Sequence, residues 1–418
     1  MNTNLQRFSG AWETKQLKEL GPFSKGRGIK RDHVTDEGVP CVRYGELYTR
    51  YKNYISKIAS RIPPEVAATA LPIKNGDLLF AGSGETAEEI GRCAAYLGEE
   101  QAYAGGDVIV LTPSGQNSIY LGHLMNSPIV STQKARLAQG DAVVHIYINN
   151  LAEVKIELPP ITEQNAIAKI LSDVDGLLNA LESLIAKKQA IKQAVMLQLL
   201  TGRTRLPGFN GEWETMQMRR IGAIYGGLSG KSKVDFARGY SRYVTFLGVL
   251  ENIILDVRHT ERVYVDRGES QNSVMKGDIL FNASSETPGD LALGAVMGEQ
   301  LDNLYLNSFC FGFRISGENR HVPLFLAYYF RGFPGRAIMN ALAQGATRYN
   351  LSKSQFLTLE LSIPSCNEQY AIASVLSDMD TEIAALELRL HKTRAIKLGM
   401  LQQLLTGRTR LIKTEVED

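Results

Sequence analysis

Between Glu163 and Leu200 apolar residues recur at Ile167, Ile170, Leu171, Val174, Leu177, Leu178, Leu181, Leu184, Ile185, Ile191, Val195 and Leu199, with polar and charged residues between them. Spacings of three and four predict one long amphipathic helix of about five heptads. The same phase returns at Ile372, Val375, Leu376, Met379, Ile383, Leu386, Leu390, Ile396 and Met400. Thr162 after Pro159-Pro160, and Ser365 after Pro364, stand near the expected N-caps; Gly202 and Gly407 stand where glycine ends a helix. A helix of roughly 38 residues is about 57 Å long, nearer a spacer than a core element of a small domain. The expected partner of each apolar stripe is the other helix, antiparallel to it. The seam is predicted to pass through Ile167, Val174, Leu181, Leu184 and Ile191 on the first helix and Ile372, Met379, Leu386 and Ile396 on the second.

Both helices end in the same nine residues, QLLTGRTRL, beginning at Gln198 and again at Gln403, 205 positions later. The repeat extends further: EQNAIAKILSDVD from Glu163 matches EQYAIASVLSDMD from Glu368, and AQG recurs at Ala138 and Ala343. Nearer the front of each half, GDLLFAGSGET from Gly76 matches GDILFNASSET from Gly277, and GAWET matches GEWET. The chain is one design used twice, expected to form a pseudo-dimer within a single polypeptide. Leu206 runs through PGFNGEWET into the second copy, while the N-terminus reads as a continuation from Leu411, so the order is circular and the two chain ends are expected near each other. In the double-arginine exit, the arginines suit the negative C-terminal end of the helix. Ahead of each helix, runs such as DVIVLT and FCFGFRI between glycine-containing turns predict α+β domains.

Composition places limits on this picture. With 418 residues, 44% hydrophobic and 22% charged, the chain has enough material for several cores and no bias towards disorder. It has no apolar run of membrane-spanning length and no signal-peptide core at its start, so a cytoplasmic address is expected. Cys41, Cys93, Cys310 and Cys366 are far apart, and neither they nor the scattered histidines show metal-ligand spacing. The net charge of +2 hides a basic stretch: from Lys15 to Arg61 there are eleven Lys or Arg against five acids. Basic clusters interleaved with tyrosines fit a DNA surface, and two readers about 34 Å apart could enter successive major grooves.

LPPITEQNAIAKILSDVD, the KKQAIKQAVMLQLLTGRTRLPGF exit and the circular repeat closely resemble the specificity subunit of type I restriction-modification enzymes. The resemblance spans nearly the whole chain. It implies an α+β protein in which two similar α/β target recognition domains, 1–160 and 206–365, are separated by an antiparallel coiled-coil spacer, 161–205 and 366–418, under circular pseudo-two-fold symmetry. Each domain would read one half of a bipartite, non-palindromic site in double-stranded DNA, while the helices set the gap and dock the methyltransferase subunits. The implied partners are two modification subunits, which use S-adenosylmethionine to methylate adenine at N6, and restriction subunits, which use ATP with Mg. The chain itself would be non-catalytic, with no cofactor and no metal.

Charge and loop position single out Lys25, Arg27, Lys30, Arg31, Arg43 and Arg136 in the first domain as DNA-binding residues. In the second they single out Lys231, Lys233, Arg242, Arg336, Arg348 and Asn350. Enzymatic alternatives fit less well. FAGSGETAEEIG lacks the GK[ST] ending of a phosphate loop and reads as a strand followed by a turn. Asp141, Glu153 and Lys155 only loosely imitate a nuclease spacing, and neither Pro-Pro pair follows Asn or Asp as an adenine methyltransferase site requires. A self-sufficient nuclease or methyltransferase, or a structural coiled-coil adaptor, are the alternatives left to weigh.

Overall fold

The computed structural model describes residues 5–7, 11–317, 321–345 and 347–414. The chain divides into two compact units, residues 1–182 with 389–418 and residues 183–388. The predicted helices run Ile161–Leu200 and Cys366–Leu404, and each unit takes one half of both. In the first unit Glu163, Asp175 and Glu182 meet Arg410, Lys397 and Arg394. In the second, Lys188, Lys192 and Arg205 meet Glu382, Asp380 and Glu368. In each set the partner's number falls as the first number rises, so the helix halves are antiparallel.

Burial corrects the seam. On the first helix the inward positions are Ile167, Leu171, Val174, Leu178, Leu181, Ile185, Lys188, Lys192, Val195 and Leu199, in unbroken steps of four and three. On the second they are Ile372, Leu376, Met379, Ile383, Leu386, Leu390, Thr393, Lys397, Met400 and Leu404. Leu184, Ile191 and Ile396, expected in the seam, are instead 39%, 41% and 61% exposed, each one residue ahead of an inward position. The cause is chemical. Lys192 and Lys397 occupy apolar-type positions and pair there with Asp380 and Asp175, so the apolar neighbours Ile191 and Ile396 mimic a stripe that the lysines carry.

The repeated exit also has a structural purpose. Gly202 and Gly407 turn the chain with positive φ, each packed under a tryptophan, Trp213 and Trp12 respectively. The second arginine of each exit then reaches the opposite helix rather than the end of its own. Arg410 donates to the fully buried Glu163 carboxylate at 2.6 Å and lies over the Trp12 ring; Arg205 does the same with Glu368 and Trp213. The next residue of each EQ pair anchors its own unit: Gln164 Oε1 accepts from the Asn117 N–H, and Gln369 Oε1 from the Val322 N–H. Thr162 lies inside the first turn rather than capping it, since the helix begins at Ile161. Ser365 does cap, its hydroxyl accepting from the Glu368 N–H at 3.4 Å.

Each unit is built on a five-stranded sheet of matching order. In the first unit it runs Phe23–Lys25, Val108–Leu111, Leu78–Ala81, Cys93–Tyr96 and Tyr54–Ile55. In the second it runs Gly222–Gly226, Cys310–Ile315, Ile279–Asn282, Gly294–Met297 and Ile254–Leu255. The central strands are apolar on both faces because both faces are covered. Leu78 and Phe80 point into a core shared with Leu171, Leu404 and Leu405, while Leu79 and Ala81 pack towards a second, four-stranded sheet. Ile279 and Phe281 likewise meet Leu199, Leu200 and Ile372, and Leu280 faces the opposite way. The strands Leu5–Arg7 and Ile412–Thr414 pair antiparallel, which brings the two ends of the chain together.

The second partner of the seam aspartate differs between the two units. Tyr328 donates to Asp380 at 2.7 Å, whereas its counterpart, His123, sets Nε2 3.6 Å from Asp175. The Asn53 amide donates to His123 Nδ1 at 2.9 Å, which leaves the ring proton on Nε2. Burial, and after it the Lys397 ammonium, hold this imidazole down at about 4, against the opposing pull of Asp175.

Two predictions follow from the seam. Leu181→Ala should cost about 2 to 5 kcal/mol and Leu184→Ala under about 1 kcal/mol, a difference that thermal or denaturant unfolding would read. The second concerns acid. A histidine depressed in the folded state contributes stability above its unfolded value and loses it as pH falls, because the unfolded chain binds the proton first. The loss should develop between about pH 6.5 and 4, reach up to about 3 kcal/mol, and shrink in His123→Tyr, which installs the side chain found at position 328. Parallel pH profiles for the two proteins would remove His123 as the cause.

Candidate nucleic-acid interface

The motif read as a strand and turn is the foundation of a joint found in both units. After the strand Leu78–Ala81, the Gly82 N–H donates to the Asp107 carbonyl at 2.6 Å and the Gly82 carbonyl accepts from the Ile146 N–H at 2.9 Å. After Ile279–Asn282, Ala283 repeats both bonds with Phe309 and Leu351, at 2.9 and 3.1 Å. The following serines, Ser83 and Ser284, are buried, and each begins a two-residue strand that pairs with a returning hairpin, Val144–His145 or Tyr349–Asn350. The repeated AQG shapes that hairpin. A Cβ at Gly140 or Gly345 would lie 2.3 Å from the Val143 carbonyl oxygen or 2.2 Å from that of Arg348, and both glycines have positive φ.

In the first unit His145 Nδ1 sits 2.9 Å from the Ser83 hydroxyl, and Tyr147 stacks on the His145 ring. Lys25 reaches Asp107 at 3.7 Å, which brings the basic loop onto the same joint. Gly26 and Arg27 are tied through their N–H groups to the carbonyls of Val108 and Ala104. Among the described residues, Arg27, Lys30 and Arg31 are exposed and no ion pair holds them. Arg43 packs by Gly105 but is turned towards Glu46, 3.7 Å away. Arg136 is exposed at the end of the helix Pro128–Arg136.

In the second unit Arg348 lies over the Phe309 ring, 5.2 Å from its centre, with Nη2 3.3 Å from the Ser284 hydroxyl. Asn350 is exposed beside it, and a cleft of about 710 Å³ separates Arg348 from Phe246 and Leu247. Lys233 is exposed, but three other expected contacts are committed elsewhere. Lys231 is paired with Glu269, and Arg242 donates to Thr260 Oγ1 at 2.9 Å. Arg336 is half-buried and donates to the carbonyls of Phe330, Ala292 and Leu291, with burial lowering its pKa. Charge alone could not distinguish these from surface cations. His145, Tyr147 and Phe309 were missed, although aligning the two AQG segments places His145 opposite Asn350.

The nuclease-like trio does not assemble. Glu153 accepts from Lys18 at 2.8 Å and from Gln16 at 2.9 Å, and among the described residues no contact joins Asp141 to it or to Lys155. No group of three or more His, Cys, Asp or Glu among the described residues is placed to hold a metal ion. Nor is any helix there long and apolar enough to cross a membrane.

Two units of matching frame, each presenting polar and aromatic side chains from a hydrogen-bonded joint, define a duplicated recognition protein. The family described as the type I restriction modification DNA specificity domain matches residues 10–193 and again 210–392, and the chain belongs to it. It is a DNA-specificity subunit with two recognition domains, a part that selects sequence and is not itself the catalyst. In Methanocaldococcus jannaschii, the type I restriction enzyme MjaVIII specificity subunit is 22% identical over 96% of this chain and 93% of its own. A second protein of that organism, named as a candidate MjaX specificity subunit, is 24% identical over 98% and 96%. Among solved structures, the type I restriction-modification S subunit from M. genitalium aligns with a TM-score of 0.58 at 16% identity, covering 97% of both chains. The HsdS subunit from Thermoanaerobacter tengcongensis gives 0.52 at 17%, covering 96% of this chain and 98% of its own.

Arg336→Met should destabilise the second unit by about 2 to 4 kcal/mol, because buried carbonyls lose their donors, whereas Arg31→Ala should leave the unfolding temperature unchanged. In binding assays Arg31→Ala should weaken DNA affinity evenly across sequences and reduce the salt slope by about 1.

Proposed function

We propose that the chain directs a type I restriction-modification complex to a bipartite, non-palindromic site, the domain within residues 1–160 reading one half and that within 206–365 the other. The observation carrying this reading is that the two units share their scaffold down to individual backbone hydrogen bonds yet expose different side chains. Identical readers would select a palindrome; different ones select an asymmetric pair of half-sites. Base edges supply the selection, and exposed cations such as Arg27, Lys30 and Arg31 position the phosphates.

The long helices would set the unread gap and dock two modification subunits. Leu184 and Ile191 of the second unit support docking: they stand exposed seven residues apart on the first helix, an apolar face suited to a partner helix. In this reading S-adenosylmethionine, ATP and Mg belong to modification and restriction subunits, and the assembly works in the cytoplasm, where the DNA is.

The test is a domain exchange. Replacing residues 10–160 with the corresponding domain of a relative should change one half of the methylated motif in the assembled enzyme and leave the other half and the gap intact. A simultaneous change in both halves would contradict two independent readers.

A further inference from the structure

We propose that the joint is itself the reader: Arg348 in the second unit, and the His145–Tyr147 pair in the first, each discriminate one base pair of their half-site. This rests on the reading that the chain selects DNA sequence, and it assigns that selection to particular atoms. The two joints have the same backbone frame, with the bonds of Gly82 repeated by Ala283 and the same buried serine following. The frame is constant while the side chains mounted on it change. Asp107 is replaced by Phe309, Val143 by Arg348 and His145 by Asn350. By contrast, the strand leading into the joint is nearly unchanged, GDLLF against GDILF. A site of fixed geometry carrying different chemistry is where one chain can distinguish two half-sites.

Arg348 is prepared for bidentate reading. The guanidinium carbon lies over the Phe309 ring and Nη2 contacts the Ser284 hydroxyl, so two contacts orient the group before any ligand arrives. A phosphate contact needs only a positive charge on a flexible stem, whereas a braced planar fork matches the N7 and O6 acceptors of guanine. The cleft beside it is open, with Leu247 exposed on its far wall. In the first unit the bond from Ser83 to His145 Nδ1 fixes the ring and leaves Nε2 for a base edge, while Tyr147, 48% exposed, offers an aromatic face. The unpaired cations of the adjoining loop stand where they can hold the backbone of the same duplex.

The experiment determines the methylated motif, by modification-sensitive sequencing, for the chain assembled with its modification subunits. Wild type is compared with Arg348→Gln, Arg348→Lys, Phe309→Ala and His145→Ala. Arg348→Gln and Arg348→Lys should both relax the same single guanine position, by about tenfold or more, with the other half-site unaltered. His145→Ala should relax one position in the opposite half. An active Arg348→Gln complex with an unchanged motif overturns the assignment of Arg348. So does full restoration of the motif by lysine, because rescue by a point charge marks a phosphate contact. If the Gln variant does not assemble, Arg348→Lys and Phe309→Ala decide, and the assignment fails unless they relax one common position. An unchanged motif with His145→Ala removes the first-unit reader. A wild-type complex with no bipartite motif would instead overturn the functional reading on which the assignment rests.

Discussion

Neither unit can close its core without a helix end supplied by the other half of the sequence. Leu404 and Leu405 pack beneath the first five-stranded sheet and Leu199 and Leu200 beneath the second. The Arg410–Glu163 and Arg205–Glu368 clamps fix where those ends arrive. Everything else depends on this exchange: the antiparallel pairing, the circular order and the shared frame of the two joints. A buried carboxylate is costly unless it is paired and hydrogen-bonded. The clamp therefore penalises misplacement of the exit more severely than apolar packing alone would.

Much of this was legible in the sequence, for identifiable reasons. The nine-residue repeat and the EQ pairs are visible because both copies must satisfy the same clamp, so the same residues recur at the same offset. The helices were readable from their period, and DVIVLT and FCFGFRI from their continuous apolar character, which reflects sheets covered on both faces. The phase of the seam was harder to read. Lys188, Lys192 and Lys397 occupy inward positions, and a lysine is seen as inward only once the acid opposite it is known. That acid lies 194, 188 and 222 residues away in the chain, respectively.

The interface was legible only in part, because charge does not reveal commitment. Arg31 and Arg336 are the same residue type, yet one is exposed and unpaired while the other is occupied by backbone carbonyls. The residues of the joint are few and mostly uncharged, and they converge from segments about sixty residues apart, such as Ser83 and His145. Their signal lies in the comparison of the two copies, where a constant glycine and serine surround positions that differ.

The exchange of helix ends also has a consequence for synthesis on the ribosome. The second unit is continuous in sequence, residues 183–388, whereas the first draws on residues 389–418. The half translated first therefore completes its core last. Until the final segment emerges, the first unit must wait with the face that receives Leu404 and Leu405 uncovered, a long-range closure of the kind that slows folding and exposes a chain to aggregation. A released chain ending at residue 388 would hold every segment of the second unit and lack part of the first.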